Sequence, residues 1–189
     1  MKNNTKTFEL ELASGDLKKA ALLIISTIRQ NTNAGIDSTG KPFQPYSRKP
    51  FGMPLGAFLE RTTKRQRTRL NKEGDLEIYR NKKTGSRWVI IDGGYYNFKA
   101  MWSPKKASVV NLQWSGLMLK SLQVENVTES SAEIAFSQTD KAQLAYYHNV
   151  SGAGKSKVIR HFMGITDTQK QEIADFIASK VKLTVKGAS

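Results

Sequence analysis

The sequence predicts an α+β fold in which an antiparallel β-hairpin sheet is packed by an N-terminal and a C-terminal amphipathic helix. Two observations carry this prediction. Between residues 113 and 136 the apolar period changes from helical to alternating, which is typical of a helical turn that leads into a β-hairpin. Apolar stripes with helical spacing lie near both ends of the chain. Because an isolated hairpin is only marginally stable, we expect these helices to cover its apolar face.

The central stretch has a clear start and a clear turn. Ser115 is the predicted N-cap of the helical turn, and Gly116 lets the chain turn sharply into it. From Ser121 onward apolar residues alternate with polar ones, and the polar residues 128–131 predict the turn of the hairpin. The alternation that predicts the second strand involves Ala132, Ile134 and Phe136.

Each terminal helix has its own signals. The N-terminal helix is predicted to begin at Ser14 and to end near residues 31–35, after a possible short strand over residues 7–12. Its apolar stripe consists of Leu17, Ala20, Ala21, Ile24, Ile25 and Ile28. The C-terminal helix begins with the capping-box spacing of Thr166 and Gln169. Its predicted buried stripe consists of Ile173, Ala174, Phe176, Ile177 and Val181.

The length of 189 residues predicts one domain, with a basic loop and hairpin insertion at about residues 50–110. Residues 33–54 are a predicted loop, which Phe43 and Tyr46 are expected to anchor onto the body of the domain. Residues 75–92 predict a hairpin with a basic turn. An aromatic cluster follows, for which a core or subunit-interface role is favoured over base stacking: Tyr95, Tyr96, Phe98 and Trp102.

The charge balance favours an anionic partner. The chain has 30 basic and 16 acidic residues, a net charge of +14, which attracts nucleic acid or an acidic protein surface. A basic protein without such a partner would have the same composition. The candidate contacts lie in the dense run of residues 61–72 and are Lys64, Arg65, Arg67, Arg69 and Lys72. On a helix these charges would surround the axis, so a solvated or partly disordered segment is favoured over a helix that reads a DNA groove.

The residues give no enzyme signature. The chain has no cysteine, which excludes disulfides and thiolate sites. Residues 152–156 (GAGKS) are similar to the end of a phosphate-binding loop, but Asn149 occupies the position where that pattern needs glycine. His148 and His161 lie near no acidic cluster in the sequence, so we expect no metal site. We therefore predict a protein that is not an enzyme, with no catalytic residue and no cofactor.

No targeting segment is recognisable either. The N-terminus lacks the apolar segment of a secretory signal, and the longest apolar run, residues 20–25, is far too short to cross a membrane. We therefore expect a soluble protein that is made in a reducing cytoplasm and has no membrane partner.

Three short stretches follow one another along the chain: GIDSTGKPFQPYS at residues 35–47, WSGLMLKSL at 114–122, and Tyr147–His148 followed by RHFMGI at 160–165. In this order they resemble the virion morphogenesis, or tail completion, family of tailed bacteriophages. The resemblance covers about two-thirds of the chain. The residues that match the family's motifs are Asp37, Gly40, Pro42, Phe43, Ser115, Gly116, Leu119, Arg160, Phe162 and Gly164.

The resemblance implies a structural virion protein that assembles into a hexameric or dodecameric ring where the phage head meets the tail. Its partners would be further copies of itself, the portal or adaptor protein and the tail-tube protein, with double-stranded DNA passing through the lumen. The motif residues would then serve the fold and the interfaces, and the loops at 33–54 and 150–160 would make the ring contacts. The alternative is a sequence-independent DNA-binding protein that uses residues 61–72.

Overall fold

The computed structural model describes residues 6–72, 76–101, 107–112, 115–154 and 157–187, with only the backbone for residues 6–10, 69–70, 72 and 185–187. The strands are β1 (Lys6–Glu11), β2 (Phe51–Pro54), β3 (Leu76–Arg80), β4 (Arg87–Ile91), β5 (Leu122–Val127), β6 (Ala132–Phe136) and β7 (Lys182–Gly187). The helices are α1 (Ser14–Ala34), α2 (Leu55–Arg61), α3 (Lys64–Lys72), α4 (Gly94–Ala100), α5 (Leu117–Lys120), α6 (Thr139–Tyr146) and α7 (Asp167–Ala178). A π-helical turn, Tyr147–Ser151, extends α6.

The predicted α+β class is confirmed, with antiparallel sheets and helices near both ends of the chain. The chain divides into two compact units. Unit 1 consists of residues 1–43 and 112–189, and unit 2 consists of residues 44–111, so unit 2 lies within the sequence of unit 1. No helix among the described residues is long and apolar enough to span a lipid bilayer.

Unit 1 contains the central hairpin and the two terminal helices. Strands β5 and β6 pair with Leu122 opposite Phe136, and the Thr128 amide donates to the Ser131 carbonyl at 2.8 Å to close the predicted turn. Helix α1 packs against both strands and against α7. It begins at Ser14 and ends before Gly35, whose φ of 80° is the left-handed cap that glycine favours. The sequence therefore predicts this part of unit 1 correctly.

The prediction for the end of the chain is partly wrong. Helix α7 ends at Ala178, so Val181 lies outside it and is 37% exposed, and Ala174 faces solvent. The residues that follow form β7, which pairs with β1 in an antiparallel sheet that was not predicted. Residues 181–186 alternate apolar with polar side chains. The chain adopts the strand there because β1 offers a backbone partner, which the sequence pattern alone did not indicate.

Unit 2 is built on a three-stranded sheet with the order β2–β4–β3. The predicted 75–92 hairpin is present as β3 and β4, but residues 51–54, predicted as loop, form β2 on the other side of β4. The core of the unit consists of Met53, Phe58, Val89, Ile91, Phe98 and Met101. Strand β2 was missed because its four residues show almost no alternation, and the pairing with β4 decides their conformation.

The aromatic residues around α4 belong mainly to this core. Phe98 is buried, and the Tyr95 ring contacts Tyr46 edge-on, with 5.2 Å between ring centroids. Tyr46 is buried in unit 2 and Phe43 is buried in unit 1, as expected of side chains that anchor a loop. Trp102, the remaining member of the predicted cluster, lies outside the described residues.

Candidate functional site

The first motif is a closed loop held together by one carboxylate. Asp37 Oδ1 accepts hydrogen bonds from the Thr39 amide at 2.8 Å, from the Thr39 hydroxyl at 2.7 Å and from the Lys41 amide at 2.9 Å. Partial burial acts to raise the pKa of Asp37, but these hydrogen bonds outweigh it and hold the pKa below its ordinary value. The Phe43 amide donates to the Gly35 carbonyl and closes the loop, and Pro42 forms an isolated antiparallel β-bridge with Ile36. Asp37 is therefore a residue that shapes a loop.

The first and third motifs are in contact within unit 1. The Ser38 amide donates to the His161 carbonyl at 2.7 Å, and Gly40 lies against Thr166. Gly164 permits this approach because a Cβ at that position would lie 2.7 Å from Ser38 Cβ, closer than side chains tolerate. The structure thus brings together residues that are more than a hundred positions apart in the chain.

The buried side chains of the third motif complete this contact. Phe162 and Arg160 are buried, and the Arg160 amide donates to the His148 carbonyl at 2.7 Å. The Met163 amide donates to Asn149 Oδ1 at 3.0 Å, so the π-helical turn is tied to the same segment. Asn149, which replaces the glycine of a phosphate-binding loop, therefore has a structural role. Lys155 and Ser156, from the same GAGKS segment, lie outside the described residues.

The second motif forms α5, with a different cap from the predicted one. Gly116, with a φ of 76°, is the N-cap, and Ser115 precedes it and accepts a hydrogen bond from the Leu117 amide at 3.3 Å. The predicted N-cap, Ser115, is therefore wrong by one residue. The residue before the helix must adopt a left-handed conformation, which Gly116 does at little steric cost. Leu119 is buried in unit 1. Trp114 lies outside the described residues.

Two polar contacts that were not predicted hold α1 against the second motif and against α7. The Arg29 guanidinium donates to the carbonyls of Leu119 at 3.0 Å and Leu122 at 2.9 Å. Asn31 and Gln169 exchange two side-chain hydrogen bonds, at 2.8 and 3.0 Å, while Gln169 also completes the predicted capping box of α7. Neither contact has a local signal in the sequence, since each joins residues at least ninety positions apart.

The basic segment of unit 2 is an ordered helix. Thr63 and Gln66 form reciprocal hydrogen bonds at the start of α3, with the Thr-x-x-Gln spacing of a capping box that the sequence analysis overlooked. The predicted solvated character holds for Lys64 and Arg65, which are exposed. The side chains of Arg69 and Lys72 lie outside the description.

Arg67 differs from the other candidate cations. Its guanidinium donates to the Thr62 carbonyl at 2.6 Å and to the Thr62 hydroxyl at 3.3 Å, at the C-terminal end of α2. A cation at this position satisfies carbonyls that the helix leaves without partners. Arg67 therefore stabilises the α2–α3 connection. Among the five candidate cations, Lys64 and Arg65 are the ones whose described side chains are exposed and available to an anion.

The charge of the protein is concentrated in unit 2. Its 68 residues include 15 basic and 5 acidic side chains, a net charge of +10, whereas unit 1 has 15 basic and 11 acidic side chains, a net charge of +4. Within the described ranges Lys64, Arg65, Lys82 and Lys83 form no ion pair with a carboxylate. The positive field of this unit is thus largely uncompensated and is available to a polyanion.

The described part of the chain contains no group of three or more histidine, aspartate or glutamate side chains arranged to hold a metal ion. Comparisons with protein-family models, with curated proteins and with solved structures found no match for this chain.

Proposed function

We propose that this chain is a structural protein of a tailed-bacteriophage virion that forms a homo-oligomeric ring at the head–tail junction, as a neck or tail completion protein. The proposal starts from the three motifs and their order. The contact between the first and third motifs supports the proposal. If the three motifs belong to one family fold, residues of different motifs should contact each other in the folded chain. In this role the protein would act through its surfaces, beside the portal or adaptor protein and the tail tube.

The observation that carries the proposal is the number of large apolar side chains that are exposed near α6 of unit 1. Along α6 and the π-helical turn, large apolar side chains are 42–53% exposed: Leu144, Tyr146, Tyr147 and Val150. A second exposed pair, Leu22 and Leu23, lies on α1 opposite its buried stripe. Contiguous exposed apolar residues mark interaction surfaces. Two different patches on one protomer are what a head-to-tail contact needs, and such contacts close into rings.

The first test is quantitative mass spectrometry of purified phage particles from cells that carry the gene. We expect the protein in every particle, in the fixed copy number of a hexameric or dodecameric ring. Val150→Asp should remove it from particles because a buried, unpaired carboxylate would oppose the contact between protomers. Leu59→Asp is the matched control, since Leu59 is exposed to a similar degree but belongs to unit 2. Absence of the wild-type protein from mature particles would refute the proposal.

The charge of unit 2 favours a second candidate function, sequence-independent binding of duplex DNA. We expect the affinity for a duplex of arbitrary sequence to fall steeply with salt, because cations that contact phosphates release counterions. Lys64→Ala combined with Arg65→Ala should reduce the slope of log K against log salt by about 2. Lys18→Ala combined with Lys19→Ala removes the same charge from exposed positions of unit 1 and should leave the slope nearly unchanged. Equal slopes in both double variants would exclude α3 as the contact.

A further inference from the structure

The outer face of the unit 2 sheet presents two aromatic rings. In β4 the side chains of Val89 and Ile91 are fully buried in the core, so the alternation of a strand places Trp88 on the opposite face. Tyr79 is directly opposite Trp88 in the β3–β4 register and therefore shares that face. Tyr79 is 53% exposed and Trp88 is 38% exposed. Neither ring contributes to the core on the other side of the sheet.

The neighbouring strand β2 places only Gly52 and Pro54 on this face, with Pro54 directly opposite Trp88 in the register. Gly52 of β2 lies beside the Trp88 ring, and a Cβ at Gly52 would be 4.0 Å from Trp88 Cε3. Since glycine has no side chain, nothing from that position stands over the ring. The Trp88 Nε1 donates to Ser86 Oγ at 3.3 Å, which orients the indole. The result is a pair of exposed aromatic rings on one face of an antiparallel sheet.

Cations border this surface at one end. Lys82 and Lys83 occupy the turn that joins β3 and β4. Arg80 and Arg87 are directly opposite each other in the last pair before this turn, and the alternation of the strands places them on the other face of the sheet. All four side chains are exposed. An anionic ligand on the aromatic face would be attracted by the two turn lysines and by the net charge of +10 of the surrounding unit.

We propose that this face binds single-stranded nucleic acid, with bases stacked on Tyr79 and Trp88 and phosphates held by the turn lysines, Lys82 and Lys83. Exposed aromatic rings beside cations are the means by which proteins bind single strands without sequence preference, because every base has a face that can stack. In a duplex the base faces are already stacked on each other and are not accessible. The inference uses the geometry of unit 2 alone and does not depend on the ring proposed above.

The experiment measures the fluorescence anisotropy of a labelled oligo(dT) of about 16 nucleotides, a length within the usual site sizes, titrated with the full chain. We expect Tyr79→Ala and Trp88→Ala each to weaken binding about 10-fold, which corresponds to about 1.4 kcal/mol of lost stacking. Trp88→Phe keeps a ring and should retain most of the affinity. Leu183→Ala is the matched control, because Leu183 is also a large exposed apolar side chain on a strand (60% exposed) but lies in β7 of unit 1, and it should bind like the wild type.

An abasic oligomer of the same length separates stacking from charge, because it has the same phosphates and no bases. We expect it to bind the wild type more weakly than oligo(dT) and to be insensitive to Tyr79→Ala. Equal binding of the two oligomers, or unchanged oligo(dT) binding by Tyr79→Ala and Trp88→Ala in proteins with wild-type circular dichroism, would overturn the proposal. Tighter binding of a duplex, with no effect of Tyr79→Ala, would also overturn it and favour the contact through α3. None of these outcomes bears on whether the protein is found in phage particles.

Discussion

Replacing Phe162 with alanine is expected to destabilise unit 1 by about 3–5 kcal/mol, the usual cost of removing a phenyl ring from a packed interior. Phe162 is 1% exposed and belongs to the segment on which the loop of the first motif rests. Urea denaturation monitored by circular dichroism measures the loss.

Phe176→Ala is the control for this experiment. Phe176 lies on α7 of the same unit and is only half-buried, so its removal leaves a smaller cavity and should cost less than half as much. An equal loss of unfolding free energy in the two variants would show that the side chain of Phe162 is packed no more tightly than that of Phe176 on α7. It would also weaken the argument that the motif residues form one packed cluster.

Gly94→Ala is expected to disrupt unit 2, whereas Gly85→Ala should be tolerated. The two glycines have nearly identical φ values, 69° and 68°, so the strain of a left-handed alanine, about 1–2 kcal/mol, is common to both. They differ in their surroundings. A Cβ at Gly94 would lie 2.6 Å from the Ser47 carbonyl oxygen and closer still to that of Lys49, whereas a Cβ at Gly85 would meet nothing within 4 Å.

The close approach at Gly94 has a structural purpose. The Tyr96 amide donates to the Ser47 carbonyl at 3.1 Å, so the chain before β2 is held against the first turn of α4. Alanine at position 94 would push these two segments apart and add an overpacking cost of about 1–3 kcal/mol to the backbone strain. Urea denaturation of the two variants measures the difference, and amide exchange locates it. Equal stabilities, or a loss of protection outside residues 44–111, would contradict this account.

The local patterns of the sequence predicted much of the fold. The stripe of α1, the turn at 128–131 and the capping box of Thr166 and Gln169 are all present because each is decided by residues a few positions apart. The missed elements are those whose partner is distant. Strand β2 is stabilised by β4, and β7 is stabilised by β1 at the other end of the chain.

The candidate sites also divide into features visible in the local sequence and features that depend on contacts between distant residues. The basic run was visible in the sequence, but only the structure distinguishes Arg67, which bonds the end of α2, from the exposed Lys64 and Arg65. The aromatic face was not predicted at all. The sequence shows Tyr79 and Trp88 nine positions apart on separate strands, and only the register makes them neighbours.

The sequence by itself determined the α+β class, the ends of α1, the central hairpin and the excess of positive charge, because composition and short-range periodicity carry that information. The tertiary structure decided the rest. It brought the loop of Asp37 against the segment of Phe162 and Gly164, and it placed Tyr79 beside Trp88 on the outer face of the unit 2 sheet. It also showed that most of the net positive charge belongs to unit 2, because it defines the two compact units. These arrangements depend on contacts between residues far apart in the chain, which no local pattern specifies.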